Sequence, residues 1–115
     1  AGVSYTPGFA HTIAFGMGGI AIEVDPDFAL RMLPLRDGEA ESMIAEIRGV
    51  ARFGSVRGAP PADIASLAAT LYALSDLIES AGSAIQEIDL NPIKLLPEGQ
   101  GCVVVDALIV PAQQD

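Results

Sequence analysis

A chain of 115 residues with fifteen acids against six bases carries a formal charge of −9. Neutralising nucleic-acid phosphates needs a basic surface, so this balance excludes nucleic acid as a partner; a nucleotide stays open, because a metal ion can bring positive charge locally. Half of the residues are hydrophobic, which supports a packed core and excludes a disordered chain.

Asp76, Glu79 and Asp106 interrupt the most apolar runs, so no membrane span is expected. One cysteine cannot form an internal disulfide and fits a cytoplasmic setting. Cys102 opens an apolar strand and reads as a small buried hydrophobe. The opening residues, Ala1 to Pro7, include neither an initiator Met nor the basic and apolar regions of a secretory signal. They read as the interior of a longer protein, with residues 1–115 as one domain or a piece of one.

In chain order, His11 to Phe15 is a short apolar strand, followed by Gly16-Met17-Gly18-Gly19 and a second run from Ile20 to Val24. Asp25-Pro26-Asp27 is a turn signal, and Phe28 to Leu33 returns as an antiparallel strand that Pro34 limits. Asp37 is an N-cap candidate, and Ala40, Met43, Ile44 and Ile47 follow helical spacing up to Arg48 and Gly49. A loop from Ala51 to Ala59 leads to Pro60-Pro61, a helix-start signal. Ile64, Leu67, Ala68, Leu71, Leu74, Leu77 and Ile78 then form one stripe, with Gly82 as the stop. Strands, two helices and strands again predict an α+β fold, a mainly antiparallel sheet packed against two helices.

The last forty residues carry the chemistry. As a strand, Glu87-Ile88-Asp89-Leu90-Asn91-Pro92 points Glu87, Asp89 and Asn91 to one side. The chain breaks at Pro97-Glu98-Gly99-Gln100-Gly101 and returns as Cys102 to Val110. A hairpin centred between Glu98 and Gly99 pairs residues equidistant from that centre, which sets Asn91 opposite Asp106. Two oxygen ligands facing each other there make a seat for a hard cation such as Mg²⁺. A one-residue slip or a bulge would send Asp106 to the other face. Glu87 reads as a solvated strand residue. Gly16, Gly18 and Gly19 either bring backbone N–H groups to a phosphate or simply make a tight strand connection.

Five pieces of this chain, in one order, resemble the C-terminal half of the ATP-grasp domain of NDP-forming acid–CoA ligases, the group of ADP-forming acetyl-CoA synthetase and succinyl-CoA synthetase. They are Phe15 to Val24, Leu33-Pro34-Leu35, Val56 to Ile64, Glu87 to Pro92, and Val104-Val105-Asp106-Ala107. Where relatives often read Asp-Pro-x-Phe-Gly-Pro, this chain has Thr6-Pro7-Gly8-Phe9-Ala10-His11. The resemblance implies that Asn91 and Asp106 hold Mg²⁺ on the phosphates of ATP or ADP. Asp89 would bind the metal directly, through water, or by orienting a ligand. Gly18 and Gly19 are the candidate nucleotide contacts.

The resemblance also implies an activity for the parent: phosphoryl transfer between nucleotide and a phosphohistidine, on the way between an acid with CoA and acyl-CoA. No catalytic residue is assigned within this stretch, and His11, the only histidine, reads as structural. The implied partners are the other ATP-grasp half and the CoA-binding domains, with CoA and a carboxylic acid bound there, so the chain by itself is expected to be inactive. Homo-oligomerisation stays open. Two alternatives remain: an ATP-grasp-like module of a fused lysine acetyltransferase, and a non-catalytic binding module.

Overall fold

A computed structural model describes residues 1–6, 10–16, 28–47 and 61–112. The expected strand Ile20–Val24, Gly18, Gly19 and the loop from Ala51 to Ala59 lie outside these residues. The described strands are β1 (Gly2–Thr6), β2 (Ala10–Gly16), β3 (Phe28–Met32), β4 (Ile85–Leu90), β5 (Ile93–Leu95), β6 (Cys102–Val104) and β7 (Ala107–Pro111). The helices are α1 (Glu39–Glu46) and α2 (Ile64–Ala81), and a 3₁₀ turn, Gly82–Ala84, follows α2. The fold is α+β, as the sequence predicted.

Five strands form one sheet in the order β3-β2-β1-β4-β7, with every neighbouring pair antiparallel. The central strand, β1, comes from the opening segment for which the sequence suggested no element. Val3 is buried there and Ser4 exposed, the alternation of a half-covered strand. Its register sets Arg31, Ile13, Val3, Ile88 and Ile109 in one row across the sheet. The adjacent row is Leu30, Ala14, Gly2, Asp89 and Leu108, on the opposite face because neighbouring residues of a strand alternate.

Both helices cover the face of Ile13, Val3 and Ile88. Met43 and Ile44 from α1, Ile47 at its C-terminal cap, and Leu67, Leu71, Leu74 and Ile78 from α2 join Val3, Ile13, Phe15, Ala29 and Ile88 in one core. Leu77, expected in the α2 stripe, is exposed, and Ser75 is buried instead. Its hydroxyl accepts the Leu35 N–H at 2.9 Å, so the burial leaves no polar group unsatisfied. Against expectation, Ile64–Ala84 is long and apolar enough to cross a membrane by length and composition. In this fold the segment is the core helix, its stripe spent on the sheet.

Two helix starts differ from the sequence reading. The N-cap of α1 is Gly38, in the left-handed region at φ 84°, rather than Asp37. Gly38 has no side chain to cap with, and the Tyr72 phenol of α2 takes over. Its oxygen accepts the N–H groups of Gly38 (2.8 Å) and Ala40 (3.3 Å) and donates to Glu41. That last bond raises the Tyr72 pKa and lowers that of Glu41. Helix α2 begins at Ile64 with Asp63 as its cap, two residues past Pro61, so the proline precedes the helix rather than opening it. Gly82 ends α2, as expected.

Candidate metal and nucleotide site

The hairpin register is the one read from the sequence. In the main sheet Leu90 pairs with Ala107 and Asp89 with Leu108; in the β5–β6 ladder Ile93 pairs with Val104 and Leu95 with Cys102. All four pairs are equidistant from the Glu98–Gly99 centre. The single shift lies far from the turn, between Ile85 and Glu87.

What the sequence did not reveal is the break in the middle. The expected two long strands are four short ones, interrupted together at Asn91-Pro92 and Val105-Asp106. Backbone bonds carry the register across, from the Asn91 N–H to the Asp106 carbonyl (3.1 Å) and from the Val105 N–H to the Pro92 carbonyl (3.0 Å). Side-chain alternation is reset at the same point. Ile88 faces the core before the break, yet Ile93 and Leu95, at odd spacing from it, pack against the core after it. The hairpin therefore turns about its own axis at a pivot, and the pivot is Asn91 and Asp106. Simple alternation carries Asp89 to the face opposite the helices but does not extend to Asn91.

Asn91 and Asp106 are both exposed and Asp89 is half-buried. One Asp106 oxygen accepts the following Ala107 N–H at 2.9 Å. Gly2 lies opposite Asp89 in the ladder, and a Cβ built there would stand 3.9 Å from Asp89 Oδ1. A methyl group at position 2 would therefore meet the carboxylate in ordinary van der Waals contact. Beside the pivot opens a mainly apolar hollow of about 360 Å³, walled by Phe15, Phe28, Leu67 and Ile93, with Asp89 and Asn91 at its polar side. No sequence periodicity pointed to it, because its walls come from four separate elements.

The donors at the pivot are all oxygens, the chemistry preferred by Mg²⁺ and Ca²⁺ rather than by softer metals. Among the described residues no three His, Cys, Asp or Glu side chains converge, so these residues by themselves offer no complete cage. That fits Mg²⁺, which commonly takes one or two carboxylates and fills its remaining positions with water and substrate phosphates.

His11 is not available as a nucleophile. It is buried in β2, its Nε2 lies 2.7 Å from the Ile85 carbonyl, and its ring centroid lies 4.9 Å from that of Tyr5. A carbonyl only accepts, so Nε2 carries the proton. Cys102 is half-buried rather than fully buried, against α2, with its sulfur 3.3 Å from Thr70 Oγ1. Glu87 is an exposed strand residue.

An antiparallel sheet backed by two helices, with two exposed oxygen-bearing side chains, Asn91 and Asp106, at the break in its last hairpin, is thus the arrangement present. Residues 1–110 match the ATP-grasp domain, and the chain belongs to that family. It is 39% identical over 109 residues to the β subunit of the ADP-forming acetate–CoA ligase II of Pyrococcus furiosus, covering 95% of this chain and 46% of that subunit. It is also 39% identical over 108 residues to the ADP-forming 4-hydroxybutyrate–CoA ligase of Nitrosopumilus maritimus, covering 94% of this chain and 15% of that protein.

Among solved structures, PH1788 of Pyrococcus horikoshii aligns with a TM-score of 0.89 at 34% identity, over 98% of this chain and 47% of that one. The dinucleotide-forming acetyl-coenzyme A synthetase 1 of Ca. Korarchaeum cryptofilum, in complex with coenzyme A and Mg-AMPPCP, aligns with a TM-score of 0.84 at 35% identity. That match covers 96% of this chain and 51% of that one. The chain spans about half or less of each of these relatives.

Proposed function

We propose that this chain is the metal- and nucleotide-binding half of an ATP-grasp domain in an NDP-forming acid–CoA ligase. In that role it supports phosphoryl transfer between ATP or ADP and a phosphohistidine. The carrying observation is the pivot, where the backbone bond between Asn91 and Asp106 holds two oxygen-bearing side chains on facing strands. The Korarchaeum relative, crystallised with coenzyme A and Mg-AMPPCP, supports the same reading.

Asn91 and Asp106 would hold Mg²⁺, and Asp89 would bind it directly or orient its water. When bound, the ion offsets negative charge on the phosphates and fixes their orientation. The chain's own contribution is positional. Core packing of Ile88 fixes β4, the ladder bonds fix the register, and the exposed pivot leaves both oxygens open to a ligand. Nucleotide approaches over the apolar hollow beside Asp89, and the rest of the parent supplies the other wall. Coenzyme A and the acid bind outside this stretch.

The test uses the parent protein, with transfer of labelled phosphate from ATP to its histidine as the readout. Asn91→Ala and Asp106→Ala should each abolish transfer while leaving the thermal transition in place, since both residues are exposed. Undiminished transfer in both variants would sink the metal assignment.

A further inference from the structure

One matched sequence piece, Val56 to Ile64, finds no place in the metal site, and its next-to-last residue, Asp63, has an unusual set of partners. Asp63 is 5% exposed. Its Oδ1 accepts the Ser66 N–H at 3.1 Å, capping α2. Its Oδ2 accepts two further amides from the hairpin turn, Gly99 N–H at 3.1 Å and Gly101 N–H at 2.8 Å. The backbone nearby is also stitched to that turn. Asp63 N–H donates to the Leu96 carbonyl (2.8 Å), Glu98 N–H donates to the Pro61 carbonyl (2.7 Å), and Ala62 bridges Pro97.

The mechanical consequence lies at the pivot. β5 and β6 share only three residue pairs, and an isolated two-stranded ladder that short is marginal in water. The ladder is outside the main sheet, so its angle to that sheet is set by the packing of Ile93 and Leu95 on the core and by its two ends. One end is Asn91 and Asp106. The other is the turn that Asp63 holds, some 15–20 Å along the strands at ~3.3 Å per residue. We propose that Asp63 is a positioning residue for the metal site. It clamps the tip of the hairpin to the start of α2, and so fixes the angle at which Asn91 and Asp106 face each other.

The clamp rests on glycine geometry as well as on the carboxylate. Gly99 and Gly101 sit at φ 86° and 91°, a conformation that directs both amides to one oxygen and that residues with a Cβ rarely adopt. Hydrogen bonds to a charged acceptor are stronger than neutral ones, and the three amides lower the Asp63 pKa, that of Gly101 most of all.

The two roles of Asp63 can be separated, because Asn caps a helix as well as Asp does. In Asp63→Asn the amide oxygen can keep Ser66, but the NH₂ group then meets the Gly99 and Gly101 donors and the clamp is lost. The inference rests on the metal reading above, so the experiment has one arm that needs no metal. In the metal-free parent protein, amide exchange at Gly99, Gly101 and Val105 should accelerate about tenfold or more in Asp63→Asn, as expected for losing hydrogen bonds to a charged group. Protection within α2 should stay unchanged. In the phosphoryl-transfer assay, the Mg²⁺ concentration for half-maximal rate should rise several-fold while the rate at saturating Mg²⁺ is largely kept.

Gly101→Ala reaches the clamp from the turn side. Nothing lies within 4 Å of the added Cβ, so its effect is confined to the backbone, and it should shift the Mg²⁺ requirement in the same direction. Wild-type exchange at the turn, or an unchanged Mg²⁺ requirement in both variants, would overturn the inference. So would a loss of α2 protection equal to that of the hairpin, which would reduce Asp63 to a helix cap. Should Asn91→Ala leave transfer intact while the exchange results hold, the metal reading fails and the clamp remains.

Discussion

Ile88 and Ile109 are the same residue type, directly paired on β4 and β7, with side chains on the helix-covered face. Ile88 is 1% exposed and Ile109 is 55% exposed. Truncating Ile88 to Ala removes three carbons, about 2.4 kcal/mol at ~0.8 kcal/mol per buried CH₂. Ile88 contacts a close-packed core that refills only in part, which lifts the expected cost to about 3–4 kcal/mol. Ile109→Ala removes the same atoms from a site already more than half in water, so about 1 kcal/mol is expected. Urea unfolding of the 115-residue chain, followed by far-UV circular dichroism, measures both. Equal losses would refute the argument that the α2 core, rather than strand pairing itself, holds β4 in place. Repeating the pair in the parent adds a second reading. If the other half of the proposed ATP-grasp domain covers β7, the Ile109→Ala cost there should climb toward that of Ile88→Ala.

Two further outcomes follow from the same contacts. Because the amides of Gly101 and Ser66 hold the folded Asp63 carboxyl below the ordinary 3.8, its contribution to stability is fully present above that value. It is lost as pH falls through the still lower folded pKa. Urea midpoints of wild type and Asp63→Asn should therefore converge in acid and separate toward neutral pH; parallel curves would refute the linkage. Tyr72→Phe should speed amide exchange across Glu39–Ile44 by removing the acceptor for Gly38 and Ala40. Exchange in the second half of α2 should be unchanged, and equal effects on both helices would rule out the capping role.

Residue order alone determined a good deal about this protein. The Glu98–Gly99 turn fixed which residues of the hairpin face each other, because antiparallel register is set by the turn that closes it. The apolar stripe of α2 and its stop at Gly82 followed from helical periodicity, and strands around two helices implied the α+β class. Each of these is local information.

The tertiary structure decided what depends on distant partners. β1 is too short for its alternation to announce a central strand, and it becomes one only between β2 and β4. Ser75 is buried and Leu77 exposed because the covering surface, not the periodicity, chooses which flank of a helix is hidden. The reset of alternation at Asn91-Pro92 came from packing of Ile93 and Leu95 against the core, which pulls the ladder out of the plane of the sheet. Gly99 and Gly101 were visible in the sequence as turn glycines, whereas Asp63 was hidden behind the Pro60-Pro61 start signal. That one carboxylate joins them depends on contacts 36 and 38 residues apart, a separation at which sequence periodicity carries no signal.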